Sequence, residues 1–172
     1  MGVGRDLGPC QIFYGSTVAG ATEVGPSEGD VKWNFAQEVR DVRENAHGVT
    51  PVDGVGVGHG KVIVTVPLTR LTMAQLASVT KGGSNSGGES GGVKVFNNKV
   101  GTPHYSNSQV LVLKPLVDGA VDTTDANFMI FRHAYPVANY EPVYNTEGQR
   151  VYSVDFHCYP DASTKEVWRM GV

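Results

Sequence analysis

At 172 residues, with 40% hydrophobic and 18% charged side chains, the chain is long enough to bury a core as one domain without metal or disulfide staples. A net charge of −3 argues against tight holding of phosphate backbones, which needs clustered Lys and Arg. The 22 glycines and 9 prolines favour an all-β chain with long loops over a helical bundle.

The opening residues, MGVGRDLGPC, lack an apolar signal core, and no run approaches the ~20 apolar residues of a membrane span, so the expected setting is a cytoplasm, at least where the chain is made. Cys10 and Cys158 stand near opposite ends and read as free, partly buried thiols, since one pair makes no framework in a chain of this size.

Residues 10–15 (CQIFYG) read as a short strand ended by glycine. Residues 16–29 are rich in small residues and read as a weak strand or a loop. From Asp30, Val31, Trp33, Phe35 and Val39 share one parity, and Lys32, Asn34, Glu38 and Arg40 the other. A strand turns successive side chains to opposite faces, so this predicts one long half-buried strand with the aromatics toward the core. Residues 44–60 are expected to be a long, exposed, mobile glycine-rich loop. A second strand over 61–68 puts Val62, Val64, Val66 and Leu68 on one face. Residues 71–79 switch to helical spacing, with Thr72 placed to cap the start.

The segment 81–92 (KGGSNSGGESGG) has the composition of a flexible coil and is expected to be an inserted surface loop within a single domain spanning 1–172. Residues 93–96 read as a brief strand. The nearly continuous apolar run QVLVLKPLV (109–117) predicts a strand buried on both faces, with Pro115 at its end or edge. Residues 128–140 read as a strand interrupted near Pro136, and 144–159 as a strong strand with Val154, Phe156 and Cys158 on one face. The tail reads as a turn and a short extended end.

Chemical motifs are weak. In GVGVGHGK (54–61) the position that a phosphate-binding loop reserves for glycine is Val55, Lys61 is followed by Val62, and a strand follows instead of a helix. The five histidines (His47, His59, His104, His133 and His157) show none of the close spacings typical of zinc sites. No GxSxG elbow is present. His157 and Cys158 are adjacent strand residues that point to opposite faces. Asp30, Glu38, Asp41 and Glu44 alternate with Lys32, Arg40 and Arg43 and read as a solvated, mixed-charge face. The expectation is a chain that is not an enzyme and that uses no metal or cofactor.

Motif order carries more information. The opening LGPCQIFYG, the central DVKWNFAQEVRDVRENAHGVTPVDGVGVGHGKVIVTVPL followed by the helical LTMAQLASV, and the later QVLVLKPL and RVYSVDFHCYPD resemble, in that order, the major tail tube proteins of long-tailed bacteriophages. The likeness spans roughly residues 5 to 161 and departs at 81–92 and in the aromatic-poor stretch after Gly15.

The resemblance implies a β-sandwich or partial barrel with one short flanking helix. It also implies hexameric rings, stacked into a hollow tube, in which strands of six subunits close an inner β-barrel. The loop 44–60 would then reach a neighbouring subunit or ring, with His47, Thr50, Pro51, Asp53, Gly54, Gly56, Gly58 and His59 as contact candidates. Lys32, Asn34, Glu38 and Arg40 are the candidates for the wall of the lumen. The implied partners are copies of the same chain, length-setting and terminator proteins of the tail, and double-stranded DNA passing through without sequence-specific contacts. No membrane is involved, and the place is the virion tail, assembled in the host cytoplasm. The rival expectation is a virion-surface or tail-tip β-sandwich that binds carbohydrate or a receptor.

Overall fold

A computed structural model describes residues 9–27, 29–43, 49–80, 83–86, 93–96, 101, 103–138 and 151–171. The strands in chain order are β1 (Cys10–Gly15), β2 (Thr22–Glu23), β3 (Lys32–Asn34), β4 (Gln37–Val42), β5 (Asp53–His59) and β6 (Val62–Thr69). The α-helix α1 (Met73–Val79) follows, and then β7 (Gly83–Ser86), β8 (Val93–Phe96), β9 (Gln109–Val117) and β10 (Ala120–Val121). The chain finishes with β11 (Met129–Ala138), β12 (Val151–Tyr159) and β13 (Trp168–Met170). The fold is all-β in character, antiparallel throughout, with one α-helix among the described residues.

The main sheet runs β2-β1-β9-β11-β12-β6-β3, with β10 against β9 and β13 against β11. β11 joins its two halves: the first residues of β11 pair with β9 and β13 and the later ones with β12, across an irregularity between Phe131 and Ala134. Residues of both halves share one core, a sandwich-like arrangement. Alternation supplies the core between them. Val62, Val64, Val66 and Leu68 of β6 are all buried, and β12 sets Cys158, Phe156 and Val154 against the first three. Ile12, Leu111, Leu113 and Phe131 join them from the other half. Tyr14 enters the same core and places its hydroxyl where it donates to the Ala134 carbonyl at 3.0 Å, so its polar end is not left unsatisfied.

β9 is buried on both faces, as its unbroken apolar run predicts. Leu111 and Leu113 point into the main core, while Val112 packs with Phe128 and Ile130 in a smaller cluster behind it. Pro115 pairs with Cys10 of β1 and lies beyond Leu113, the last β9 residue that pairs with β11; on that side its carbonyl accepts the Asp122 N–H at 2.8 Å, next to the short β10 pairing. α1 begins where expected. Thr72 Oγ1 accepts from the Gln75 N–H at 3.2 Å, and Gln75 Oε1 accepts from the Thr72 N–H at 2.9 Å, a reciprocal cap that satisfies two otherwise orphaned donors. Val79 is fully buried, and Leu71 and Leu76 pack against the core.

Five expectations need correction. The long strand from Asp30 is two strands broken at Phe35–Ala36, because β3 pairs with β6 while β4 pairs with β5 in a separate two-stranded unit. The aromatic parity therefore does not mark a core face: Trp33 is 36% exposed, Phe35 37% and Val39 58%. The expected glycine-rich loop 44–60 holds a strand, and its residues 44–48 lie outside the described residues. Asp53–His59 is strand β5, since glycine on alternate positions is compatible with an extended backbone once a partner strand supplies the ladder. Within 81–92, Gly83–Ser86 is likewise a strand, paired with β8. Finally, β11 is not interrupted at Pro136, which sits opposite Phe156 of β12 beyond the end of the β9 pairing, where a missing N–H costs no second ladder.

Candidate functional site

The β4–β5 hairpin stands apart from the main sheet. Its register pairs Val39 with Gly56, Arg40 with Val55, Asp41 with Gly54 and Val42 with Asp53. Directly paired residues share a face, so Val39 stands over a glycine floor on one side, close enough that a Cβ on Gly54 would lie 2.9 Å from Val39 Cγ1. Arg40, Val42, Asp53 and Val55 occupy the other side. The exposure is unusual for aliphatic side chains: 58% for Val39, 52% for Val55 and 58% for Val57.

The contact candidates distribute as follows. Thr50 and Pro51 are exposed in the connection between the two strands. Asp53 opens β5, and its Oδ1 accepts from the Gly54 N–H at 2.7 Å. Gly54, Gly56 and Gly58 lie along β5, and Gly58 takes a φ of 134° with open space where a side chain would go. His59 ends β5 opposite Gln37. His47 lies outside the described residues.

The four wall candidates do not share one surface element. Lys32 and Asn34 are on β3, exposed, opposite Thr65 and Ile63 of β6. Glu38 and Arg40 belong to the hairpin. Lys32 and Asn34 continue a polar sheet face on which Thr65 Oγ1 donates to Asp155 Oδ1 at 2.6 Å. Further along that face, Tyr135 pairs with His157 and His133 with Tyr159. On the opposite face, at the same edge, Trp33 meets Trp168 at 5.0 Å and Phe35 at 6.3 Å, forming an aromatic patch over Phe131.

The histidine and tyrosine group on the polar face could not be found by sequence spacing, because its members come from residues 104 to 161 and meet only through strand register. His104 stacks on Tyr135 with centroids 4.1 Å apart, and its Nδ1 is 2.9 Å from the Tyr159 hydroxyl. Burial, together with the nearby charges of Lys61 and His104, holds His157 below its ordinary range, against the opposing pull of Asp155. Ser108, His133 and Asp161 line up with Ser108 Oγ 3.1 Å from His133 Nδ1 and Asp161 Oδ2 3.3 Å from His133 Nε2.

That row has the composition of a hydrolytic triad but the opposite polarity. Ser108 Oγ donates its one proton to the Tyr105 carbonyl at 2.6 Å, so toward His133 it is an acceptor. Among the described residues no group of three or more His, Cys, Asp or Glu gathers as a metal would require. A groove of about 680 Å³ opens beside β1 and β3, with Asp30, Lys32 and Cys10 in its lining. Both cysteines are free; burial raises Cys10 and pushes Cys158 up to about 12, so neither thiol is primed for nucleophilic work. No helix among the described residues is long and apolar enough to cross a membrane.

Compared with protein-family models and with curated proteins, the sequence matches none.

Proposed function

We propose that the chain is a structural, self-assembling subunit of tail tube type, six copies forming a ring and the rings stacking into a hollow conduit for double-stranded DNA. One observation carries the reading: a hairpin with three valines more than half exposed projects from a chain that already has a complete core. Two strands alone are marginal in water, and exposed valines on them call for a covering surface. The order of the sequence motifs supports the reading independently.

In this reading the hairpin is the arm that engages a neighbouring subunit or ring, through the exposed residues around Thr50, Pro51 and Asp53 and the glycine floor of Gly54, Gly56 and Gly58. Lys32 and Asn34 are the candidates for the lumen wall, while Glu38 and Arg40 go with the arm. Length-setting and terminator proteins would meet the tube's interior and end, no cofactor takes part, and the working place is the virion tail after assembly in a host cytoplasm. Negative-stain microscopy of the purified chain should show rings of six and tubes. Replacing Val55 and Val57 together with Asp should abolish them while leaving the circular dichroism spectrum unchanged. A chain that sediments as a monomer at every concentration and shows neither rings nor tubes refutes the proposal.

The exposed aromatic patch raises one other reading, a module that binds carbohydrate, which its geometry does not favour. Its rings are tilted 48° to 83° to one another instead of lying in one plane, which suits edge packing more than a sugar platform. Glycan retention that is lost in Trp33→Ala, by a chain that forms no rings, would select it.

A further inference from the structure

His133 is held on every side. Its Nδ1 lies 3.1 Å from Ser108 Oγ, whose proton is already committed to the Tyr105 carbonyl, so this contact needs a proton on Nδ1. Its Nε2 lies 3.3 Å from Asp161 Oδ2. A bare nitrogen there would set a lone pair against a carboxylate, whereas a protonated one makes an ion pair, so both ring contacts are satisfied together only in the imidazolium. Tyr105 stacks over the ring at 4.5 Å, and its hydroxyl stands 3.5 Å from Nε2 while accepting the Ala162 N–H at 3.1 Å. In the neutral ring that hydroxyl is the available donor to Nε2, and Asp161 loses its reason to stay.

We propose that His133 is a proton-operated latch that ties the turn 161–166 to β11 and so steadies the pairing of β13, which follows the turn, with the same strand. The turn is a coherent unit. Asp161 Oδ1 accepts from the Ser163 N–H, the Ser163 hydroxyl and the Thr164 N–H, and the Asp161 N–H donates to the Glu166 carbonyl. It leads straight into β13, where Trp168 pairs with Phe131 and packs on Trp33. The other ionisable groups facing the latch are Tyr105 and His104 from the segment before β9 and Tyr159 from β12. On the turn itself, Lys165 Nζ is bonded to the Ala162 carbonyl and Glu166 is 3.8 Å from Arg132. None of these offers Nε2 a second carboxylate. His133 and Asp161 side chains are 26% and 22% exposed, accessible to protons but shielded enough for their pairing to register. The inference is independent of the assembly reading.

The test is amide hydrogen exchange on the intact chain, expressed as protection factors, at pH 5.5 and pH 8.0, on either side of the range in which histidines take up a proton. Protection at Ala162 and across Trp168–Met170 should fall by about three- to fivefold at the higher pH, the scale of a partly exposed ion pair, with β12 unchanged. The difference should vanish in His133→Gln and in Asp161→Asn. Equal protection at both pH values in the parent chain, or a difference that survives His133→Gln, overturns the latch. Should either variant fail to fold, long-range proton–nitrogen NMR of the parent decides: the neutral ring must carry its proton on Nδ1, and finding it on Nε2 overturns the proposal.

Discussion

Thr72 and Gln75 exchange two hydrogen bonds at the start of α1, and nothing else among the described contacts satisfies those two amides. Thr72→Ala should therefore cost roughly 1 kcal/mol, read as a lower urea midpoint at unchanged slope. Gly25 is constrained differently. Its φ is 145°, and a Cβ there would lie 2.6 Å from Leu71 Cδ2, so Gly25→Ala combines backbone strain with displacement of a core-packed side chain and should lower the melting temperature measurably. The two cysteines carry a pH consequence. Cys158 titrates higher folded than unfolded, so its contribution to stability is full below the ordinary thiol range and declines as pH rises through that range toward about 12. Alkylation at pH 8 should modify Cys158 only as fast as the protein unfolds. Asp161 has the opposite sign. Hydrogen bonds from the Ser163 hydroxyl, then from the Thr164 and Ser163 amides and from His133, hold its carboxyl well below the usual carboxylate range. Its contribution is present above about pH 4 and is lost as pH falls further. NMR signals of the turn should thus stay native at a pH where an ordinary Asp is half protonated.

The strands divide into two populations by what covers them. β6, β9, β11 and β12 form the interior of the sheet and share one core, so their amides should exchange only with global unfolding. β4 and β5 pair with each other alone, and in the free subunit their amides should exchange orders of magnitude faster. If the assembly reading holds, that fast set becomes protected in the tube, and a hairpin that stays fast-exchanging in assembled material would remove it from the interface. The strand types follow from sequence where burial is one-sided or complete, as in β6, β9 and β12. They do not follow where the partner is another local segment: β5 is glycine at every second position, a composition that spells loop until β4 is placed beside it.

Across the whole molecule, the core closes without the hairpin. Replacing residues 37–59 with a short glycine–serine link should leave the melting temperature within a few degrees, whereas Phe156→Ala, which empties a fully buried site facing β6, should cost ~3–5 kcal/mol. The two results together would separate what holds the subunit from what the subunit offers to others. By itself the amino-acid sequence determined the all-β character, the buried faces of β6 and β12, the doubly buried β9 and the capped helix, because side-chain period and capping chemistry act within a few neighbouring residues. Only the tertiary structure decided that Trp33 and Phe35 sit at an exposed edge, that the glycine arm is a strand, and that Ser108, His133 and Asp161 meet. Those outcomes depend on which strand pairs with which, and pairing is settled by contacts between residues far apart in the chain, which leave no periodic mark in it.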